Sequence, residues 1–126
     1  MLEIDKMSRI PIYEQIIQRL ELLILTNVLG PNSPLPSVRS LSQELSVNPN
    51  TLQKAYAELE LKGICYSVPG TGRFISENAK DILMRSKREE LEQFKETVKE
   101  LKLAGICARE LKLLIDQIYS IPGKEG

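Results

Sequence analysis

Residues 35–63, LPSVRSLSQELSVNPNTLQKAYAELELKG, contain two short amphipathic helix patterns separated by a three-residue turn, and this spacing constrains the fold most strongly. Ser37 is placed to cap a helix over SVRSLSQEL, and Asn48 followed by Pro49 is a typical start for the next helix. Apolar residues recur at helical spacing in both segments, at 38, 41 and 45 and at 52, 55, 56 and 59. Gly63 is placed to end the second helix in a left-handed conformation.

The flanking segments predict a helix before this pair and a hairpin after it. Residues 11–27 carry an apolar stripe at helical spacing, with Pro11 suited to the first helical position, and GPNSPLP at 30–36 predicts a loop. After Gly63, ICYSV and RFIS are β-prone runs joined by the turn sequence PGTG. Helix, helix, turn, helix and hairpin is the order of a winged helix-turn-helix, so the expected fold is mainly α with a small β-hairpin wing.

The remaining residues predict a helical region that needs a partner. Residues 77–103 read as one long helix with heptad a/d spacing that Lys87 interrupts, and 108–120 read as a final helix. The long helix needs more apolar cover than the short one provides, which indicates a second copy of the chain. The expected domains are a winged helix-turn-helix domain at 1–76 and a helical dimerisation region at 77–126. The expected dimerisation residues are Met84, Leu91, Phe94, Val98, Leu101, Leu111, Leu114, Ile115 and Ile118.

Composition excludes several classes of protein. There is no histidine, and the two cysteines, Cys65 and Cys107, lie too far apart for a metal-type spacing, so we expect no metal site and no cofactor. The sequence also offers no nucleophile–base pair and no phosphate-binding loop, so we expect no enzyme activity. No apolar run approaches the ~20 residues of a membrane span, and the N-terminal residues lack a signal-peptide core, so we expect a cytoplasmic protein. Lys and Arg number 17, as do Asp and Glu, so the chain has no overall basic charge for nonspecific nucleic-acid binding.

The start of the second helix of the pair carries polar side chains suited to reading bases. In a helix-turn-helix these residues lie nearest the base edges in the major groove. Asn50, Thr51, Gln53 and Lys54 stand there; Asn and Gln can pair with adenine, and Lys can reach guanine or a phosphate. The alternative is a helix whose Asn48 and Thr51 only cap it and whose other polar residues are only solvated.

Two further groups are candidate DNA contacts. Ser37 and Arg39 stand at a helix start, where backbone N–H groups can help bind a phosphate; Arg39 could equally be an ordinary surface residue. The hairpin tip, Gly70, Thr71, Gly72 and Arg73, could enter a minor groove or could be a plain tight turn.

Together, PIYEQIIQRLELLI, the segment LPSVRSLSQELSVNPNTLQKAYAELELKGI and GTGRFIS resemble the winged-helix domain of the GntR family of bacterial transcription regulators, over about residues 9–76. The short helical tail resembles the YtrA-type subfamily. The resemblance implies a homodimer that binds a palindromic operator, usually as a repressor. It also implies DNA contacts by Ser37 and Arg39, by the polar residues at 50–54, and by the wing residues 70–73. The chain departs from the family at NPN, where an Arg often follows the turn, and at Val38, where an acidic residue is common.

The function expected from the sequence is therefore sequence-specific binding to operator DNA by a homodimeric transcription regulator. The alternative is a winged helix that serves as a protein-interaction module without specific DNA binding, because a fold does not fix function. The neutral charge favours that alternative slightly, whereas the polar set at 50–54 and the glycine-rich tip disfavour it. A small-molecule effector is a further candidate partner, although no segment reads as its pocket.

Overall fold

The computed structural model describes residues 2–121, which form a mainly helical chain with one β-hairpin. The described residues group into two compact units divided between Met84 and Arg85, and the first unit is called the wing domain below. The elements are α1 (Ile12–Leu25), α2 (Val38–Leu45), α3 (Pro49–Leu61), β1 (Cys65–Val68), β2 (Gly72–Ile75), α4 (Ala79–Leu103) and α5 (Ala108–Ser120). This order confirms the predicted fold class.

The core of the wing domain forms where the apolar stripes of α1, α2 and α3 meet. The stripe predicted for α3 is buried in full, at Leu52, Ala55, Tyr56 and Leu59. In α1 the helix begins one residue later than expected, because Pro11 is its N-cap with extended backbone rather than its first helical residue. Ile64 and Ile75 add the wing to the same core.

The first four helices end in the same way, with a residue in the left-handed region. These residues are Asn27, Ser46, Gly63 and Gly105. The next residue then donates its backbone N–H to the carbonyl five positions back: Val28 to Leu23, Val47 to Ser42, Ile64 to Leu59, and Ile106 to Leu101. This is the Schellman arrangement, in which an apolar residue follows the cap. The left-handed cap predicted at Gly63 is confirmed, with φ of 82°.

A short extended segment at 33–35, which was predicted as part of a loop, pairs with the wing beside β2. β1 and β2 pair antiparallel with Cys65 opposite Ile75 and Val68 opposite Gly72. On the other side of β2, the Leu35 N–H donates to the Arg73 carbonyl (2.8 Å), and the Ile75 N–H donates to the Ser33 carbonyl (2.8 Å). The loop before α2 is therefore fixed to the wing through the backbone.

Gln15 fixes the segment that precedes α1. Its side-chain oxygen accepts from the Asp5 N–H (2.7 Å), and its side-chain nitrogen donates to the carbonyls of Asp5 (2.9 Å) and Ile10 (2.8 Å). Gln15 is one of two buried polar side chains among the described residues, and all its hydrogen-bonding groups have partners. Leu2, at the start of this segment, is buried in the core.

The apolar side chains of the helical tail are largely uncovered within one chain. Ala79 and Leu83, in the first turns of α4, are buried and belong to the core of the wing domain. The division between the two units therefore falls eight residues after the predicted boundary at 76 and 77. Beyond it, Leu91, Phe94, Leu114 and Ile118 are more than half exposed, and no described residue of α5 is buried.

Candidate nucleic-acid interface

The polar start of α3 lies on the surface beside α2. Asn48 caps α3, with its side-chain oxygen accepting from the Asn50 N–H at 2.8 Å. Asn50, Gln53 and Lys54 are exposed, and Thr51 is partly buried. Arg39, Gln43, Ser46, Pro49 and Gln53 line an open groove between the two helices.

Tyr56 fixes the position of α3 relative to the loop before α2. Its ring is buried in the core, and its hydroxyl donates to the Pro36 carbonyl at 2.8 Å. Pro36 immediately precedes Ser37, so one hydrogen bond ties α3 to the start of α2.

Ser37 and Arg39 have different roles in the free protein. The Ser37 hydroxyl oxygen accepts from the Ser40 N–H at 3.0 Å and thus caps α2. Arg39, the second residue of the helix, is exposed on the groove. A phosphate at this end of α2 would meet the guanidinium and the helix N-terminus together.

Lys54 points away from the groove in this structure. Its ammonium nitrogen lies 3.9 Å from the centroid of the Tyr13 ring, in a cation–π contact with α1. The Tyr13 ring thus holds the Lys54 ammonium on the α1 side of α3 in the free protein.

Arg73 is held between the wing and α3 instead of extending from the hairpin tip. Its guanidinium lies over the Tyr56 ring, 5.4 Å from the centroid to the central carbon. The Nε donates to a Glu60 carboxylate oxygen at 3.4 Å, and Nη2 donates to the Gln53 side-chain oxygen at 3.3 Å. Ser67, opposite Arg73 in the hairpin, donates to the same Glu60 oxygen at 2.7 Å. These contacts connect the wing directly to α3.

The hairpin tip itself is open. The Thr71 N–H donates to the Val68 carbonyl at 2.9 Å, and Gly70 and Gly72 have φ of 76° and 139°. A Cβ at either glycine would have no neighbour within 4 Å. The glycines are therefore required by backbone conformation, and the free space around them leaves room for a close ligand.

Lys6 is a residue near this surface that the sequence did not indicate. Its ammonium donates to the Ser46 carbonyl at 2.9 Å, at the turn between α2 and α3. Forty positions separate the two residues, so no local pattern could have revealed the contact. Glu60 and Ser67 were also missed, because their contacts with each other and with Arg73 form only when the wing packs against α3.

The two perturbed ionisable groups are structural. Burial raises the pKa of Tyr56 well above its usual range. Burial, with a smaller contribution from the nearby Glu60 carboxylate, raises the pKa of Cys65 to about 11. Both groups are thus neutral at physiological pH, as core side chains are.

The part of the chain that the structure describes offers few other kinds of site. Its Cys, Asp and Glu side chains form no group of three that could hold a metal ion. Its helices include none with the length and apolar character needed to cross a membrane. An apolar cavity of about 300 Å³ lies between α1, the loop at 29–36 and α2, with Leu20, Leu29 and Leu41 among its walls and Glu44 at one side.

Comparisons with known proteins agree with this geometry. The family model described as bacterial regulatory proteins, gntR family, matches residues 12–75. The HTH-type transcriptional repressor YtrA of Bacillus subtilis is 43% identical over 119 residues, which are 94% of this chain and 92% of that protein. A GntR family transcriptional regulator from Listeria monocytogenes has a similar structure, with a TM-score of 0.72 and 32% identity over 90% of this chain and 98% of that one. The AraR DNA-binding domain in complex with operator ORX1 aligns with a TM-score of 0.53 and 28% identity over 60% of this chain and 93% of that one.

Proposed function

We propose that this chain, which belongs to the gntR family of bacterial regulatory proteins, is a cytoplasmic repressor that binds a palindromic operator as a homodimer. Membership of this family makes the protein a DNA-binding transcription regulator and not an enzyme. The exposed polar start of α3, beside Arg39 and the open wing tip, is the observation that carries this proposal. The operator-bound structure of a relative supports DNA as the ligand of this surface.

Each contact group would take a different part of the DNA. The start of α3 enters a major groove with Asn50, Thr51 and Gln53 toward the base edges. Ser37 and Arg39 hold a phosphate at the start of α2. The tip at 70–72 approaches a minor groove through its backbone.

The charges on this surface predict that nonspecific electrostatic attraction contributes only weakly to the affinity for DNA. Arg73 is paired with Glu60, and Lys54 lies on Tyr13, so Arg39 is the basic side chain already exposed on the groove. Each neutralised phosphate adds about 0.9 to the slope of log K against log salt. A small number of such contacts gives a modest slope and low affinity for random DNA.

The uncovered apolar faces of α4 and α5 support the homodimer. Met84, Leu91 and Phe94 are each about half exposed on one seam of α4. Leu114, Ile115 and Ile118 form a matching stripe on α5. A twofold dimer would bury the same patch on both copies and would present two α3 helices to two half-sites.

In the first experiment, the purified protein is incubated with fragmented genomic DNA of the source organism, and the fragments that stay bound at ~0.15 M salt are recovered and sequenced. We expect a few sites that share a palindrome. Recovery of no fragments, or of all fragments equally, would favour the alternative expected from the sequence, a protein-interaction module without specific DNA binding. Light scattering on the free protein tests the dimer, and Phe94→Glu should yield monomers with weaker operator binding.

Paired variants test the contact surface. Arg39→Ala should weaken binding to all sequences and lower the salt slope by about 1, because it removes a phosphate contact. Arg109→Ala, an exposed arginine of α5, is the matched control and should leave both unchanged. Equal effects of the two variants would refute the assignment of Arg39.

A small-molecule effector stays a prediction. The cavity between α1 and α2 has the volume of a small ligand site, and its walls are mostly apolar. Leu41 and Glu44 of α2 line it, so an occupant would contact the helix that also carries Arg39. Small apolar amines are the compounds to screen first, by the shift in unfolding temperature.

A further inference from the structure

We propose that Arg73 is a positioning residue that fixes the orientation of the Gln53 amide and thereby makes Gln53 select guanine in preference to adenine. The inference rests on the proposed binding of operator DNA. In this proposal Arg73 does not bind a phosphate directly but acts through Gln53, its neighbour on α3.

Two contacts, each supported by a second interaction, fix the guanidinium of Arg73. Glu60 accepts from its Nε at 3.4 Å, and the Tyr56 ring lies under its central carbon at 5.4 Å. The Tyr56 ring is itself immobile, since it is buried and hydrogen-bonded to Pro36. Glu60 is held a second time by Ser67 at 2.7 Å. Only about a quarter of the Arg73 side chain is exposed, so the group is a fixed part of the surface.

The chemistry of this contact determines how the Gln53 amide faces. A guanidinium has donors and no acceptor, so the amide group that meets Nη2 must be the oxygen. The amide nitrogen, with its two N–H donors, is then the free end of the side chain. Glutamine normally pairs with adenine by donating to N7 and accepting from N6 at the same time, which needs both ends of the amide.

A glutamine whose oxygen is engaged presents mainly donors to the major groove. Guanine offers two adjacent acceptors there, O6 and N7, whereas adenine places a donor beside its N7. The base pair facing Gln53 should therefore be read as guanine.

Arg73 should also contribute little to phosphate binding. Its charge is compensated by Glu60, and its donors are directed to Glu60 and Gln53. Removing it should change base preference without changing the number of counterions released.

The position that Gln53 reads is the operator position at which Gln53→Ala loses discrimination between base pairs. The test measures the binding of each variant to four operators, which carry each of the four base pairs at that position. Arg73→Met keeps the stem over Tyr56 and removes the donors, and Arg73→Lys restores one donor. We expect wild type to prefer guanine, and Arg73→Met to shift the guanine-to-adenine ratio toward adenine by about fivefold or more. Arg73→Lys should recover part of the preference. Arg73→Met should have no effect in the Gln53→Ala background.

The salt dependence separates this role from a phosphate contact. The slope of log K against log salt should be the same for Arg73→Met as for wild type, whereas for Arg39→Ala it should be smaller by about 1. A uniform loss over all four base pairs with a reduced slope would overturn the inference and leave the proposed function intact, as would an adenine preference in wild type. Absence of any sequence-specific binding by wild type would overturn both.

Discussion

Replacing Ser46 with glycine should stabilise the wing domain, because Ser46 ends α2 with φ of 55° and ψ of 47°. These angles are the centre of the left-handed region, which costs a residue with a Cβ about 1–2 kcal/mol. Glycine avoids that cost but loses about 0.5–1 kcal/mol more conformational entropy on folding. Ser46 is exposed and only its backbone forms hydrogen bonds, to Gln43 and Lys6. The net gain is therefore about 0.5–1 kcal/mol.

Urea unfolding followed by circular dichroism measures this gain, at one protein concentration for all variants. We expect a higher midpoint with an unchanged slope, which indicates a change in stability rather than in the exposed surface. By the usual scaling for a chain of this size, the thermal midpoint should rise by about 2–4 °C.

Ser40→Gly is the matched control, since Ser40 is an exposed serine inside the same helix with right-handed backbone. Glycine there should destabilise the domain by about 0.5 kcal/mol, from helix propensity alone. If Ser46→Gly is neutral or destabilising, the left-handed cap is not the conformation that ends α2, and the reasoning fails.

Three further predictions concern other parts of the chain. Gln15→Ala should destabilise the fold by about 1–3 kcal/mol, because it leaves the Asp5 N–H without its partner. Hydrogen exchange at the Asp5 amide should then be faster than in wild type. Gln18→Ala, at an exposed glutamine of the same helix, should change neither stability nor exchange. Lys87→Leu should lower the dimer dissociation constant, measured by sedimentation equilibrium, by more than about tenfold, because it adds a buried leucine to the seam of each copy. Lys99→Leu is the control: it removes a similar i,i+3 ion pair away from the seam and should leave the dissociation constant unchanged. The pKa of Cys65 is raised to about 11 in the folded state, so stability from this group is complete below about pH 8.5 and is lost as pH rises through 11. Urea midpoints at pH 8 and pH 11 should therefore fall less for Cys65→Ala than for wild type.

The sequence was sufficient wherever a feature depended on nearby residues. The burial of α3 followed from helical periodicity at 52–59, and its start and end followed from Asn48, Pro49 and Gly63. The turn at 69–72 followed from its glycines and proline. In each case the physical cause lies within a few residues of its effect, so a single sequence contains it.

The features that the sequence did not reveal depend on partners distant in the chain. Ser33 and Leu35 pair with β2 about 40 residues later, so a segment with three prolines became a wing edge. Lys54 and Arg73 were expected to contact DNA, and the sequence did not show which residues hold them in the free protein. The structure places them on Tyr13 and against Glu60, which only the packed helices bring within reach.

The contact between Gln53 and Arg73 also sets a limit on engineering this regulator. Transferring α3 alone into a related scaffold would carry Gln53 without the strand residue that orients its amide, and without Ser67 to hold Glu60. The smallest unit that keeps these contacts together runs from Pro49 to Ile75, a helix and a hairpin of continuous sequence. A chimera made with this whole segment should inherit the donor's base preference, whereas a helix-only chimera should read its operator with an amide that is free to turn.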